Sequence, residues 1–130
     1  MIRIVIADDH TMMRRGLRHI IEMDTAVEII GEAENGLVAL EYAKQGGFDV
    51  LVLDLSMPGL SGCQLVRSIR VAAPSLPLLL LTMYEEEADV HNAMTAGANG
   101  LLAKENVGDY LIDAITQVAA GRAYPTVAAT

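Results

Sequence analysis

The feature that most constrains this sequence is a continuous apolar run at residues 50–53, bounded by Asp49 and Asp54. Four apolar residues are too few for a helix, and a run without polar interruptions is typical of a strand buried on both faces of a parallel sheet. Asp54 closes the run, so its carboxylate is predicted to lie at the carboxyl end of that strand. Met-Pro-Gly at residues 57–59 then predicts a type II turn, because proline presets φ and glycine tolerates positive φ.

Apolar runs elsewhere in the chain predict four more strands, at residues 2–7, 27–33, 77–82 and 99–103. Each strand is followed by apolar residues at helical spacing, which predicts five helices. Strands that alternate with helices are joined by right-handed crossovers, so the expected fold is α/β, a parallel sheet with helices on both faces.

The helices carry more specific expectations. Thr11 is expected to cap the first helix, and Leu37 to lie on the buried side of the second. The fourth helix is expected over residues 85–96, with little apolar surface to bury, and Tyr110 is placed on the buried stripe of the last helix. A solvated face of the first helix is assigned to Arg14, Arg15 and Arg18.

Polar residues follow four of the five predicted strands. The carboxyl ends of parallel strands meet at one edge of the sheet, where ligands of such folds bind. Three carboxylates gathered there repel one another by roughly 3–4 kcal/mol per pair at ~4–5 Å and an effective dielectric near 20, so a proton or a cation is needed. Oxygen ligands with room left for water and phosphate favour Mg²⁺. The residues are Asp8, Asp9, Asp54, Thr82 and Lys104.

An ammonium group, a hydroxyl and a metal ion around one carboxylate would stabilise a phosphoryl group in transit to that carboxylate. Asp54 is then the predicted nucleophile, and the product is an acyl phosphate. Taken singly, each acidic residue also fits a turn or helix-cap role. His10 fits a solvated or capping residue, or a side chain that leans over the site.

The composition limits the function. Nine basic against 17 acidic residues give a formal net charge of -8, which argues against nucleic-acid binding by this stretch itself. No apolar run reaches membrane-spanning length, and the start of the chain is a strand rather than a signal peptide. The lone Cys63 excludes an internal disulfide and suits a reducing cytoplasm. We therefore expect a cytoplasmic domain without a membrane partner.

Together these motifs resemble the receiver domain of bacterial two-component response regulators. The resemblance covers residues 1–122 and is carried by Asp8-Asp9, the Asp54-to-Gly62 segment, Thr82 and Gly97-to-Lys104. Asp8-Asp9-His10 with the following Arg15-Gly16-Leu17, and Lys104 followed by Glu105, resemble the NarL/FixJ (LuxR-type) subfamily. Residues 123–130 are interpreted as the start of a linker.

The resemblance implies a flavodoxin-like sheet of order 2-1-3-4-5 and a phosphoacceptor role for Asp54, which would receive its phosphoryl group from the phosphohistidine of a sensor histidine kinase. Asp9 and Asp54 would bind Mg²⁺ directly, with Mn²⁺ as a possible substitute. The backbone carbonyl of Ser56 would be a third ligand, and Asp8 would act through water. Lys104 would pair with the phosphate.

The resemblance also implies a conformational switch. Thr82 would move to hydrogen-bond the phosphate, while Leu101 occupies the position where the family commonly has a mobile aromatic residue. Glu105 replaces a common proline, so a trans peptide is expected after Lys104. The side chains assigned to the site entrance are Met57, Met83 and Tyr84.

By resemblance, phosphorylation would favour a homodimer, through the first and last helices or through the face of helix four, strand five and helix five. DNA would be bound by a carboxyl-terminal helix-turn-helix domain beyond this chain, so a receiver from a longer transcription factor is expected. One alternative is a stand-alone or phosphorylation-independent dimerisation module. A haloacid-dehalogenase-type phosphatase would need an acid at Ser56, and a flavin or nucleotide module would need a phosphate loop where Asp8-Asp9-His10 stands.

Overall fold

Strands and helices alternate throughout the computed structural model, which describes residues 1–60, 62–83 and 88–125. The strands of this part of the chain are β1 (Ile2–Ala7), β2 (Val27–Ala33), β3 (Val50–Asp54), β4 (Leu78–Thr82) and β5 (Gly100–Ala103). The α-helices are α1 (Thr11–Glu22), α2 (Gly36–Gln45), α3 (Gly62–Ala72), α4 (Ala88–Thr95) and α5 (Val107–Ala119), and a short 3₁₀ turn (Lys104–Asn106) precedes α5.

All neighbouring strands pair in parallel, in the order β2-β1-β3-β4-β5. The expected α/β fold and strand order are therefore confirmed. β3 lies in the middle of the sheet, and every residue of it is buried. Its side chains alternate between two cores, because successive side chains of a strand point to opposite faces.

Each face of the sheet carries its own apolar core. Val50 and Val52 pack with residues of α1 and α5, whereas Leu51 and Leu53 pack with residues of α2, α3 and α4. The residues are almost entirely aliphatic, as the composition indicates. This double burial holds the end of β3, and the Asp54 carboxylate with it, in one position.

The expectations for two helix starts are corrected. Thr11 is the first residue of α1, and His10 precedes the helix without a side-chain capping bond. Leu37 is 65% exposed, while Ala39 and Ala43 face the core. Leu40 is half-buried against the same core, and Gly36 packs so closely that a Cβ there would lie 1.9 Å from the Leu60 carbonyl oxygen.

Smaller differences concern the later elements. Tyr110 is 50% exposed rather than buried. β4 begins at Leu78, one residue after the expected start. α4 begins at Ala88 and ends at Thr95, and residues 85–87 of the expected helix lie outside the described residues.

The segment after α5 is folded onto the sheet as far as residue 125. The backbone N–H of Tyr124 donates to Asn99 O at 3.2 Å, and that of Leu101 donates to Tyr124 O at 2.8 Å. Tyr124, in the segment expected to begin a linker, therefore pairs with the outer edge of β5. The remainder of that prediction, residues 126–130, falls outside the described residues.

Candidate functional site

Three carboxylates meet at the carboxyl edge of the sheet. Ala7 at the end of β1 pairs with Leu53 of β3, so the residues that follow them, Asp8 and Asp54, lie side by side. Both are 0% exposed, and the Asp9 side chain is 22% exposed. The three acids therefore lie together at this edge of the sheet, as the sequence predicts.

Asp54 has one well-partnered oxygen. Its Oδ1 accepts a hydrogen bond from the Ser56 backbone N–H at 3.0 Å and lies 3.1 Å from Lys104 Nζ. The same ammonium group lies 3.5 Å from Asp8 Oδ2. A single positive charge therefore bridges two buried carboxylates.

The other oxygens of the cluster are poorly satisfied. Asp54 Oδ2 is buried without a hydrogen bond, and so are Asp8 Oδ2 and Asp9 Oδ1. The last two do have ionic contacts, with Lys104 at 3.5 Å and with His10 Nδ1 at 3.1 Å respectively. An unsatisfied buried group costs about 1–3 kcal/mol, so these oxygens are suited to a ligand that supplies positive charge.

The donor atoms fit a metal ion. One oxygen from each of the three acids and one ring nitrogen of His10 lie within 4.8 Å of one another. Carboxylate oxygens are the ligands that hard divalent cations prefer. This acidic cluster could therefore hold a divalent cation.

The pKa of Asp54 also indicates that the site lacks positive charge. Burial raises the pKa of its carboxyl group, and the negative charge of Asp8 adds to the increase. The Ser56 N–H and Lys104 oppose this shift and do not cancel it. A bound cation would favour the ionised carboxylate and lower the pKa, because it supplies the positive charge that the site lacks.

Thr82 and Lys104 occupy the expected positions beside Asp54. Thr82 ends β4, directly after the residue that pairs with Asp54, and is 1% exposed. Lys104 follows β5, and its side chain is 11% exposed. No cis bond occurs at Lys104–Glu105, as expected for a residue other than proline.

The predicted switch and entrance residues are placed differently from one another. Leu101 is half-buried in β5, and Met83 is 56% exposed just after β4. Met57 is 2% exposed and packs into the core formed by α2, α3 and α4, which does not fit a place at an open entrance. Tyr84 lies outside the described residues.

Arg14 is a positioning residue that the sequence analysis assigned to a solvated face. Its side chain is 15% exposed, its Nη1 donates to the Asp8 backbone oxygen at 2.6 Å, and its Nε lies 3.4 Å from Glu32 Oε1. It therefore holds the loop that carries the two acids. Its position in the first turn of α1, five residues after Asp9, was the sequence feature that could have indicated this contact.

Comparisons with known proteins agree with this geometry. The family described as the response regulator receiver domain matches residues 4–116. The chain is 35% identical over 119 residues to the nitrate/nitrite response regulator protein NarP of Escherichia coli, covering 92% of this chain and 55% of that protein. A nitrate/nitrite response regulator homologue of Haemophilus influenzae is 32% identical, with 92% and 58% covered. The chain thus spans a little over half the length of these relatives.

Solved structures share the fold. The receiver domain of NarL from Mycobacterium tuberculosis superposes with a TM-score of 0.85 at 34% identity, covering 93% of this chain and 98% of that one. The receiver domain of RcsB from Salmonella enterica, with the phosphomimetic BeF3-, has a TM-score of 0.84 at 28% identity, covering 95% and 91%. Among the described residues, no helix has the length and apolar character of a membrane span. The chain belongs to the response regulator receiver family, and its relatives are regulators of the NarL type.

Proposed function

We propose that Asp54 is the phosphoacceptor of this receiver domain and that its phosphorylation activates the regulator. The observation that carries the proposal is the unequal state of the two carboxylate oxygens of Asp54. Oδ1 is held by Ser56 and Lys104, whereas Oδ2 is buried and lacks a hydrogen bond. A carboxylate fixed through one oxygen has its other oxygen available for attack on phosphorus.

The phosphoryl donor is proposed to be the phosphohistidine of a sensor histidine kinase. A bond forms between an Asp54 oxygen and phosphorus while the phosphorus–nitrogen bond breaks, and the electron pair of that bond leaves with the imidazole. Lys104 lies 3.1 Å from Asp54 Oδ1, so its ammonium group can follow the charge onto the phosphoryl oxygens.

The cation is proposed to be Mg²⁺, with Mn²⁺ as a substitute. Asp9 and Asp54 would hold it directly, the Ser56 backbone carbonyl would be a third ligand, and Asp8 would act through water. The cation supplies positive charge to the phosphoryl oxygens. The clustering of the three carboxylates and their unsatisfied oxygens support this assignment.

The response to phosphorylation is proposed to run through Thr82 and Leu101. Thr82 lies beside Asp54 at the end of β4, and its hydroxyl would bond the phosphate in only one of two conformations. Leu101 in β5 would repack in the same transition. Its backbone N–H bonds Tyr124 O, so a change at β5 would reach the segment that leaves the domain.

The output is proposed to be control of DNA binding by a carboxyl-terminal helix-turn-helix domain, with a homodimer formed on phosphorylation. Support comes from the relatives, which are named as response regulators and of whose length this chain covers only 58% and 55%. The net charge of -8 makes the receiver itself a poor partner for DNA. A cytoplasmic location stays a prediction.

Acetyl phosphate with Mg²⁺ provides the test. Intact-mass measurement should show one added phosphoryl group on the wild type, none on Asp54→Asn, and none when EDTA removes the cation. Asp49→Asn is the matched control, because Asp49 is an exposed carboxylate at the other end of the same strand. Equal labelling of wild type and Asp54→Asn would refute the phosphoacceptor assignment.

Two further measurements address the alternatives. Multiple turnovers on sugar phosphates would indicate a phosphatase instead of a receiver. Light scattering with and without BeF3- should show a dimer that depends on the phosphate mimic. A dimer of equal strength under both conditions would indicate a phosphorylation-independent module.

A further inference from the structure

We propose that His10 is an additional ligand of the cation site and that its imidazole tunes the site toward transition-metal ions. The inference rests on the proposed function of the acidic cluster as a metal site. It adds a nitrogen ligand to a set of residues that otherwise offers oxygen atoms alone.

The loop places the His10 ring against the acids. Nδ1 lies 3.1 Å from Asp9 Oδ1 and 3.5 Å from Asp8 Oδ1. The backbone of His10 is extended, with φ -94° and ψ 114°, and its N–H donates to Asp8 Oδ1 at 2.8 Å. The same carboxylate that faces the site therefore also fixes the backbone from which the imidazole extends.

The acidic cluster leaves room for a metal ion that the His10 imidazole could bind. Asp8 Oδ2, Asp9 Oδ1 and Asp54 Oδ2 are all buried without a hydrogen bond, so the cluster as a whole is short of positive charge. One ring nitrogen of His10 belongs to a set of four candidate ligand atoms, one from each residue, that all lie within 4.8 Å of one another. Two ligands on opposite sides of one ion at ~2.1 Å are ~4.2 Å apart, so a shift of a few tenths of an ångström would let His10 join Asp9 and Asp54 as direct ligands, with Asp8 bound through water.

Exposure of the ring is compatible with this role. The His10 side chain is 68% exposed, so one ring nitrogen can face the ion while the other carries the proton in water. His10 makes no side-chain capping bond to α1, so ligation would cost the helix no cap. The competing arrangement is a protonated Nδ1 that only donates to Asp9 and never touches the ion.

Ligand chemistry predicts the consequence. Carboxylate and carbonyl oxygens suit Mg²⁺ and Mn²⁺, whereas imidazole suits Co²⁺, Ni²⁺ and Zn²⁺. His10 should therefore raise the affinity for Co²⁺ and leave the affinity for Mg²⁺ nearly unchanged. Removing it should reduce Co²⁺ affinity by at least about tenfold, the lower end of the loss found even for residues that only orient a ligand.

The first measurement uses Mn²⁺ as a paramagnetic probe of the whole chain, at about pH 8 so that protons do not compete for nitrogen. The free-ion signal in electron paramagnetic resonance should fall on binding to the wild type and not on mixing with Asp9→Asn. Failure of the wild type to bind Mn²⁺ would overturn both the metal site and the His10 inference.

The second measurement isolates His10. Electron spin echo modulation of bound Mn²⁺ should show nitrogen coupling that changes frequency on histidine-selective ¹⁵N labelling and disappears in His10→Phe. Calorimetry should show the loss in Co²⁺ affinity for His10→Phe and none for His19→Phe, an exposed histidine on the same helix. Binding of Mn²⁺ without nitrogen coupling and an unchanged ratio of Co²⁺ to Mg²⁺ affinity would overturn the His10 inference and leave the metal site standing.

Discussion

The carboxyl and amino ends of the strands, which form two opposite edges of the sheet, differ in how well their buried charges are satisfied. At the carboxyl edge, Lys104 contacts two of the three clustered acids, Asp8 and Asp54, and Asp54 Oδ2 is buried without a hydrogen bond. At the amino edge, before β4 and β5, the half-buried guanidinium of Arg70 makes four hydrogen bonds, and each of its three nitrogens donates at least one. It donates to the backbone oxygens of Gly97 (2.9 Å), Ala73 (3.1 Å) and Leu76 (2.6 Å) and to Asn99 Oδ1 (2.8 Å).

The comparison distinguishes the charge of Arg70, which stabilises the fold, from the charges of the acidic cluster, which are suited to a ligand. Burial lowers the pKa of Arg70, but an arginine stays charged at neutral pH, and its hydrogen bonds join the end of α3 to the loops that lead into β4 and β5. These bonds need no ligand. The acidic edge is short of positive charge, so a bound cation would stabilise the folded protein there.

The largest expected effect is loss of the Arg70 network. Arg70→Met should lower the free energy of unfolding by about 3 kcal/mol, because four hydrogen bonds are lost and their acceptors are left without a donor. Urea denaturation measures this change. Arg67→Met, an exposed arginine one turn earlier in α3, should change the stability by less than about 0.5 kcal/mol. Equal losses in the two variants would remove the contrast between the edges.

Asp54→Asn should change the free energy of unfolding in the opposite direction. In EDTA it should raise the free energy of unfolding by about 2 kcal/mol, because a buried charge that repels Asp8 becomes neutral without a change in shape. Asp49→Asn should give no such gain, since Asp49 is exposed and its carboxylate is satisfied by the Arg3 N–H at 2.8 Å. A destabilised Asp54→Asn would mean that Lys104 already compensates the charge.

Adding Mg²⁺ should reduce the difference in stability between the wild type and Asp54→Asn. At about ten times its Kd, the ion should stabilise the wild type by about 1.4 kcal/mol and the variant by less. Thermal denaturation in Mg²⁺ and in sodium chloride of matched ionic strength measures the difference, and EDTA should reverse it. An identical gain in both proteins would place the ion elsewhere.

The smallest expected effect is a pH dependence in metal-free buffer. The pKa of Asp54 is raised in the folded state, so the folded protein keeps a proton that the unfolded chain has released. Stability therefore falls as the pH rises from the ordinary aspartate value through the raised one, by no more than about 1.4 kcal/mol per pH unit. The advantage of Asp54→Asn over wild type should grow across that window and stay level above it. An advantage that shrinks with rising pH would contradict the direction of the shift.

Much of the site could be predicted because its signals are local. An unbroken apolar run identifies a strand buried on both faces, and the residue after it must lie at the edge of the sheet, as Asp54 does. Arg14 was harder, because an arginine in the first turn of a helix has the same pattern whether it faces water or a backbone oxygen. Its contacts with the Asp8 backbone oxygen and with Glu32 depend on how α1 packs beside β2.

The sequence by itself determined the strands, the parallel sheet and the set of polar residues at its carboxyl edge, because these follow from runs and spacings within a few residues. Tertiary structure alone decided which side chains are left partnerless. Leu37 faces solvent while Ala39 and Ala43 face the core, and Tyr124 joins the edge of β5 because Asn99 and Leu101 offer it free backbone groups. Such outcomes depend on distances between segments far apart in the chain, and no local pattern encodes them.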